Sequence, residues 1–261
     1  MKSRLLFLIV VTVFCAGPLR ADLSATIAKV KPSVVIVGTY KSTNSPRFSM
    51  RGTGFVVSNG NLFVTNAHVL PQASEKDVEA DLVILIRLAR NEVQMRRTTL
   101  LEVDKLHDLA LLRFEGPAVP VLNVGDSDLV QEGKAIAFMG FPIGGVLGFS
   151  PVTHRGMVSS ITAAALPTPS AHALNEQAIR SLRGGGNFDI FQLDGTAYPG
   201  NSGGPLFDPD TGEVLGILNM VFIKGSKESA LTNPSGISYA IPSRYILQLL
   251  HRGTSQMPPL R

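Results

Sequence analysis

The chain has 261 residues, 44% hydrophobic and 17% charged, enough for a sizeable core in one or two domains. Its 24 Lys and Arg against 20 Asp and Glu form no basic patch interleaved with aromatic residues, which argues against a nucleic-acid partner. With 25 Gly, 17 Pro and no Trp, its punctuation suits many short strands better than long helices.

Residues 1–21 read as a secretory signal peptide. Met1-Lys2-Ser3-Arg4 is a basic start, residues 5–14 form an apolar run short for a bilayer span, and Leu19-Arg20-Ala21 precedes the expected cleavage point. The competing expectation is an uncleaved anchor. Cleavage removes Lys2, Arg4 and Arg20 and leaves 21 basic against 20 acidic residues, so the high pI says little about partners. It also removes Cys15, the only cysteine. An exported chain without disulfides fits the bacterial periplasm or extracellular medium, with no stable membrane insertion once the signal is gone.

The mature chain opens with a helical pattern at 23–30, stopped by Pro32. Strand-like runs follow at 33–40, 52–58, 61–65, 81–88, 92–103, 108–114, 134–140, 152–161, 189–193, 213–219 and 236–241. Asn59-Gly60 is a hairpin signal between two of them. The spacing predicts an all-β chain of antiparallel barrels or a sandwich. Residues 115–120 are the best linker, dividing the chain into halves at 22–119 and 120–253. Residues 163–186 look like an insertion, with a short helix at 175–182 and three glycines at 184–186. No Lys-Ser/Thr pair follows those glycines, so they read as a plain loop rather than a phosphate loop. Residues 242–253 predict a terminal helix, and 254–261 a frayed tail.

Chemistry concentrates in Gly200-Asn201-Ser202-Gly203-Gly204-Pro205. A nucleophilic serine needs an exposed hydroxyl beside backbone N–H donors, and flanking glycines allow the tight turn and close substrate approach. The same six residues are also ordinary turn chemistry. His68 follows an apolar strand, where a general base would be held rigidly. Asp108 opens the apolar run 109–112, where it would be buried and accept from an imidazole N–H; Asp104 is the competing acid. The five histidines lack ligand spacing and no cysteine survives processing, so neither a metal nor another cofactor is expected.

His68, Asp108 and Ser202 come in the chain order of the chymotrypsin-like fold, spaced 40 and 94 residues apart. Gly52-Thr-Gly-Phe55, Thr65-Asn-Ala-His68, Asp108-Leu-Ala-Leu-Leu112, Ala137-Phe-Met-Gly-Phe-Pro142, Gly156-Met-Val-Ser159, Pro199-Gly-Asn-Ser-Gly-Gly-Pro-Leu206 and Ile237-Ser-Tyr-Ala-Ile-Pro242 resemble the HtrA/Deg-type protease domain of the trypsin-like superfamily. The resemblance covers roughly residues 23–250. It implies two antiparallel six-stranded barrels with short terminal helices, and an exported serine endopeptidase of quality control or processing. It implies the triad His68, Asp108 and Ser202, and an oxyanion hole from the N–H groups of Gly200, Asn201 and Ser202. Partners would be protein or peptide substrates, and homo-oligomers are compatible with it. The family usually carries PDZ domains after the protease domain; this sequence stops after the terminal helix, so PDZ-based sensing is not expected. Residue 201 is Asn rather than the Asp that digestive trypsins pair with a new N-terminus, so activation by that route is not expected either. The alternative is a catalytically silent binding or chaperone-like protein, but such relatives usually lose a triad residue or its glycines, and all are present here.

The pocket for the residue before the scissile bond is expected from Thr196, Ala197 and Tyr198 together with Asn219, Met220 and Val221. None is acidic, so an apolar side chain is its expected occupant.

Overall fold

A computed structural model of the chain describes residues 22–71, 80–89, 92–142, 149–164, 188–219 and 237–255. The expected signal peptide, the expected helix at 175–182, Met220 and Val221 lie outside the described residues.

After helix α1 (Leu23–Val30) come β1 (Val34–Tyr40), β2 (Phe48–Val57), β3 (Leu62–Asn66), β4 (Asp81–Ala89), β5 (Glu92–Asp104) and β6 (Leu109–Phe114). Then follow β7 (Ala135–Gly140), β8 (Val152–Ala163), β9 (Asp189–Asp194), β10 (Pro205–Phe207), β11 (Val214–Asn219), β12 (Ile237–Pro242) and helix α2 (Ser243–Ser255). Among the described residues, the strands close into two antiparallel barrels, ordered β1-β2-β3-β6-β5-β4 and β10-β11-β12-β9-β8-β7. The sequence runs match eleven of these strands, with ends displaced by a few residues; the short β10 has no run of its own.

The central strands read as near-continuous apolar runs because both of their faces are buried. Side chains alternate across a strand. Val35, Val37, Val56, Phe63, Ala110 and Leu112 pack inside the first barrel. Their neighbours Val34, Ile36, Phe55, Val57, Leu62, Val64, Leu109 and Leu111 point the other way. The second barrel does the same, with Ile136, Phe138, Leu206, Leu215, Leu218 and Ala240 inside. Ala137, Met139, Phe207, Val214, Ile217 and Ile241 join the outward-facing residues of the first barrel in one shared cluster. An apolar seam therefore welds the two barrels together.

The connection between β6 and β7 lies along this seam rather than hanging free. Val119 and Leu122 donate backbone hydrogen bonds to Gly60 and Val56 of the first barrel, and Gly125 donates to Val214 of the second.

The two helices are exchanged between barrels. Helix α1, which precedes the first barrel, rests on the β10–β11 turn of the second: Lys29 Nζ donates to the Thr211 carbonyl at 3.1 Å. Helix α2, which follows the second barrel, reaches the first, where Arg252 meets Asp104 and a Cβ added at Gly253 would lie 2.5 Å from Leu111 Cδ2. It runs two residues beyond the expected end at 253. There Thr254 and Ser255 hydroxyls donate to the carbonyls of Leu250 and His251.

Leu249 of α2 is fully buried in the shared cluster. Leu249→Ala is expected to cost about 2–5 kcal/mol of stability, read as a shift of the urea midpoint with an unchanged slope.

Candidate active site

His68 sits in a short 3-10 turn, Ala67–Val69, at the end of β3. The turn is held from below by Arg51 of β2, whose Nε and Nη2 donate to the carbonyls of Val69 (2.6 Å) and Leu70 (3.0 Å). Gly52, next in the strand, lies directly under the serine turn: a Cβ there would come within 2.8 Å of Val69 and 2.9 Å of the Ser202 carbonyl oxygen. No side chain fits between the two elements that carry His68 and Ser202.

Asp108 precedes β6 with φ of +52°, a left-handed conformation that Asp tolerates better than most residues. Its carbonyl accepts from the Ala67 N–H (3.0 Å) and from Asn66 Nδ2 (3.1 Å), which ties β6 to the histidine turn. Its carboxylate collects three donors. Oδ1 accepts from the His68 backbone N–H at 2.8 Å. Oδ2 lies 2.6 Å from His68 Nδ1 and accepts from Asn219 Nδ2 at 2.7 Å. The bond to Nδ1 fixes the ring's orientation and leaves Nε2 facing away from the acid.

Ser202 lies in the turn between β9 and β10, and its carbonyl accepts from the Thr53 N–H at 2.8 Å. The turn is closed by bonds from Asn201 N–H to the Tyr198 carbonyl (2.9 Å) and from Gly204 N–H to the Asn201 carbonyl (2.9 Å). Gly203 has φ of +85°, and a Cβ on it would sit 2.0 Å from the Thr53 carbonyl oxygen, so only glycine allows this approach.

The expected site residues are thus divided. His68 and Asp108 are bonded to each other, and Ser202 is docked on the strand that also braces the His68 turn. The Asn201 N–H is spent inside the turn on Tyr198, which corrects its expected use as an oxyanion donor; among the described residues, no backbone bond uses the Gly200 or the Ser202 N–H. Asn219 is fully buried and holds the acid, so it does not stand as a pocket wall. Ala197 is buried in the interior of the second barrel, its N–H donating to the Ser238 hydroxyl at 2.8 Å. Thr196 and Tyr198 are half-buried. Arg51, Thr53 and Asn219 gain their roles through contacts across the chain that no local pattern announces; Thr53 lay inside the Gly52–Phe55 motif, and Asn219 was singled out for a different role.

Asp104, the competing acid, is paired with another histidine. His107 donates its backbone N–H to Oδ1 (3.1 Å) and places Nδ1 2.8 Å from Oδ2, while Arg252 of α2 donates to Oδ2 at 2.6 Å. The His107 ring stacks on Tyr245 at 4.0 Å and meets the edge of Phe188. This cluster closes the turn that delivers Asp108.

A family model described as a trypsin-like peptidase domain matches residues 52–217. The chain is 31% identical over 202 residues to a probable periplasmic serine endoprotease DegP-like of Marinomonas sp., covering 77% of this chain and 35% of that protein. It is 32% identical over 242 residues to serine protease HTRA4 of Mus musculus, covering 90% and 42%. It therefore spans about a third to two fifths of the length of these relatives. Among solved structures, an HtrA-type protease AlgW with tripeptide superposes with a TM-score of 0.63 at 24% identity, over 88% of this chain and 62% of that one. AlgW with decapeptide gives 0.64 at 22%, over 90% and 68%. At these identities the superpositions show the fold.

Burial pushes the Asp104 carboxyl up, but the His107 side chain, the His107 N–H and the Arg252 guanidinium outweigh it and hold it below its ordinary value of 3.8. A carboxyl depressed on folding adds stability above its unfolded-state pKa and loses it as pH falls through the folded-state value. Asp104→Asn is therefore expected to destabilise the protein clearly near about pH 7, with the gap to wild type narrowing toward about pH 3 in denaturant titrations at both.

Proposed function

Since the chain belongs to the trypsin-like peptidase family, as an HtrA-type protease domain, we propose that it is an exported serine endopeptidase with Ser202 as nucleophile, His68 as general base and Asp108 as its orienting acid. The observation that carries this reading is the Asp108 carboxylate, gripped by His68 through both its backbone N–H and Nδ1. That grip selects the tautomer with the proton on Nδ1 and a free lone pair on Nε2.

The chemistry follows from that tautomer. Nε2 takes the proton of Ser202 Oγ as the oxygen bonds to the peptide carbonyl carbon, and the carbonyl oxygen becomes an oxyanion. The N–H groups of Gly200 and Ser202 are the donors left to receive it. The imidazolium then gives its proton to the leaving amine, the C–N bond breaks, and an ester on Ser202 remains. Water, deprotonated by the same histidine, attacks the ester carbonyl; the bond to Ser202 Oγ breaks, Oγ takes the proton back from Nε2, and the acid is released. Asp108 stabilises the imidazolium in both halves, with Asn219 donating to the same oxygen that faces His68 Nδ1 and the His68 backbone N–H engaging the other.

Export is favoured by the basic and apolar start of the sequence and by relatives named as periplasmic endoproteases. Exported protein should begin near Asp22. For specificity, Thr196, Ala197 and Tyr198 bring no negative charge to the segment before Ser202. A buried substrate cation would be unpaired there, so an apolar residue is the expected occupant. A peptide-library digest should cleave after Val, Leu, Met or Phe; dominant cleavage after Lys or Arg would refute this pocket.

Ser202→Ala is expected to abolish both peptide hydrolysis and labelling by a fluorophosphonate, while the melting curve stays close to wild type. Asp108→Asn should lower kcat by about 10⁴-fold through the wrong histidine tautomer. Undiminished turnover in pure Ser202→Ala protein would overturn the assignment.

A further inference from the structure

Thr53 belongs to β2 of the first barrel and is fully buried, yet its polar atoms are spent largely on the second barrel. Its N–H donates to the Ser202 carbonyl at 2.8 Å. Its hydroxyl donates to the Gly200 carbonyl at 2.7 Å and accepts from the Phe141 N–H, which follows β7, at 3.2 Å. Its own carbonyl accepts from the Thr65 hydroxyl of β3 at 2.7 Å, so the residue is anchored from behind. A hydroxyl has one proton to give, and this one goes to the turn that carries the serine.

Gly200 is the weak point of that turn. With φ of +103°, it occupies a region open to glycine and has no side chain to hold it there. The peptide plane after it is pinned at both ends: Thr53 Oγ1 holds the carbonyl, and the Tyr198 carbonyl holds the Asn201 N–H. Fixing that plane fixes the direction of the two N–H groups on either side of it, Gly200 and Ser202. Among the described residues, Thr53 is the one side chain that hydrogen-bonds the backbone of residues 198–204. The Asn201 side chain, wholly buried beside it, has no hydrogen-bond partner among the described residues and does not share the task.

We propose that the Thr53 hydroxyl is a positioning residue for the oxyanion donors: it holds the Gly200 and Ser202 N–H groups aimed at the developing charge and so acts on the transition state. The proposal rests on the reading of Ser202 as nucleophile. Because the hydroxyl is fully buried and its partners are the Gly200 carbonyl and the Phe141 N–H, its loss should appear in kcat and leave ground-state binding alone.

Three variants of the full chain test this. Thr53→Val keeps the shape and deletes the hydroxyl, Thr53→Ala deletes it without the second methyl, and Thr53→Ser keeps it. Peptide hydrolysis, inhibition by a peptide boronate that forms a tetrahedral adduct on the serine, and thermal melting are measured for each. The Val and Ala variants, whichever folds, should lose about 10- to 100-fold in kcat with KM within about twofold. Their boronate inhibition constants should rise by the same factor, and the acid limb of the pH–rate profile should not move. Thr53→Ser should keep kcat within about threefold of wild type. A folded Val or Ala variant with wild-type kcat, a loss that Ser does not restore, or a loss expressed in KM instead overturns the proposal. Wild-type protein that neither turns over peptide nor labels on Ser202 would instead sink the protease reading, and this proposal with it.

Discussion

A backbone N–H or C=O that ends in the apolar seam between the barrels has no water to turn to, and leaving it unpaired is costly. Bonds that cross the seam or close against it meet this demand, and they are the ones that hold the candidate site residues. Thr53 donates to Ser202, Gly203 to Leu218, and Ala67 to Asp108. The linker obeys the same demand, pairing with Gly60 and Val56 before it crosses to Val214. The geometry of His68, Asp108 and Ser202 is thus a by-product of how two closed sheets satisfy their backbones where they touch. Gly52 and Gly203 mark the places where that contact is too tight for any side chain.

The same two-point grip of a histidine on an aspartate occurs twice within a few residues of chain. His107 grips Asp104 across a single turn, and His68 grips Asp108 across 40 residues. The local copy is sealed by Arg252 and an aromatic stack. The long-range copy has Asn219 as its third donor, and side-chain exposures of 28% for His68 and 19% for Asp108 leave it open to solvent. Hydrogen bonding alone does not separate the two pairs; exposure does, since the His107 and Asp104 side chains are only 11% and 9% exposed.

Much of this was readable from the chain. The helix at Leu23–Val30 and most strands follow from apolar runs bounded by Gly, Asn, Asp and Pro, since burial on both faces writes itself plainly into sequence. The first part of β2, Phe48–Arg51, did not stand out because it is only half-buried and mixed in polarity. Strand β10 is three residues long and begins with proline, which advertises a turn. Local motifs named His68, Asp108 and Ser202 as candidates but could not apportion hydrogen bonds. Asn201 looked like an oxyanion donor until turn closure claimed its N–H. Asn219 looked like a pocket wall until a contact 111 residues away claimed its amide.

The exchanged helices have a consequence for the order in which the chain can mature. Leu111 of the first barrel is covered in part by Gly253, and the β5–β6 turn that presents Asp108 is sealed by Arg252. Both partners come more than a hundred residues later in the chain. The first barrel therefore cannot complete its packing while the second is still being made. Contacts this distant in sequence form slowly and late. A nascent chain keeps the turn that bears Asp108 unsealed until α2 docks, so the pairing geometry of His68 and Asp108 reaches its final packing only when the last helix is in place.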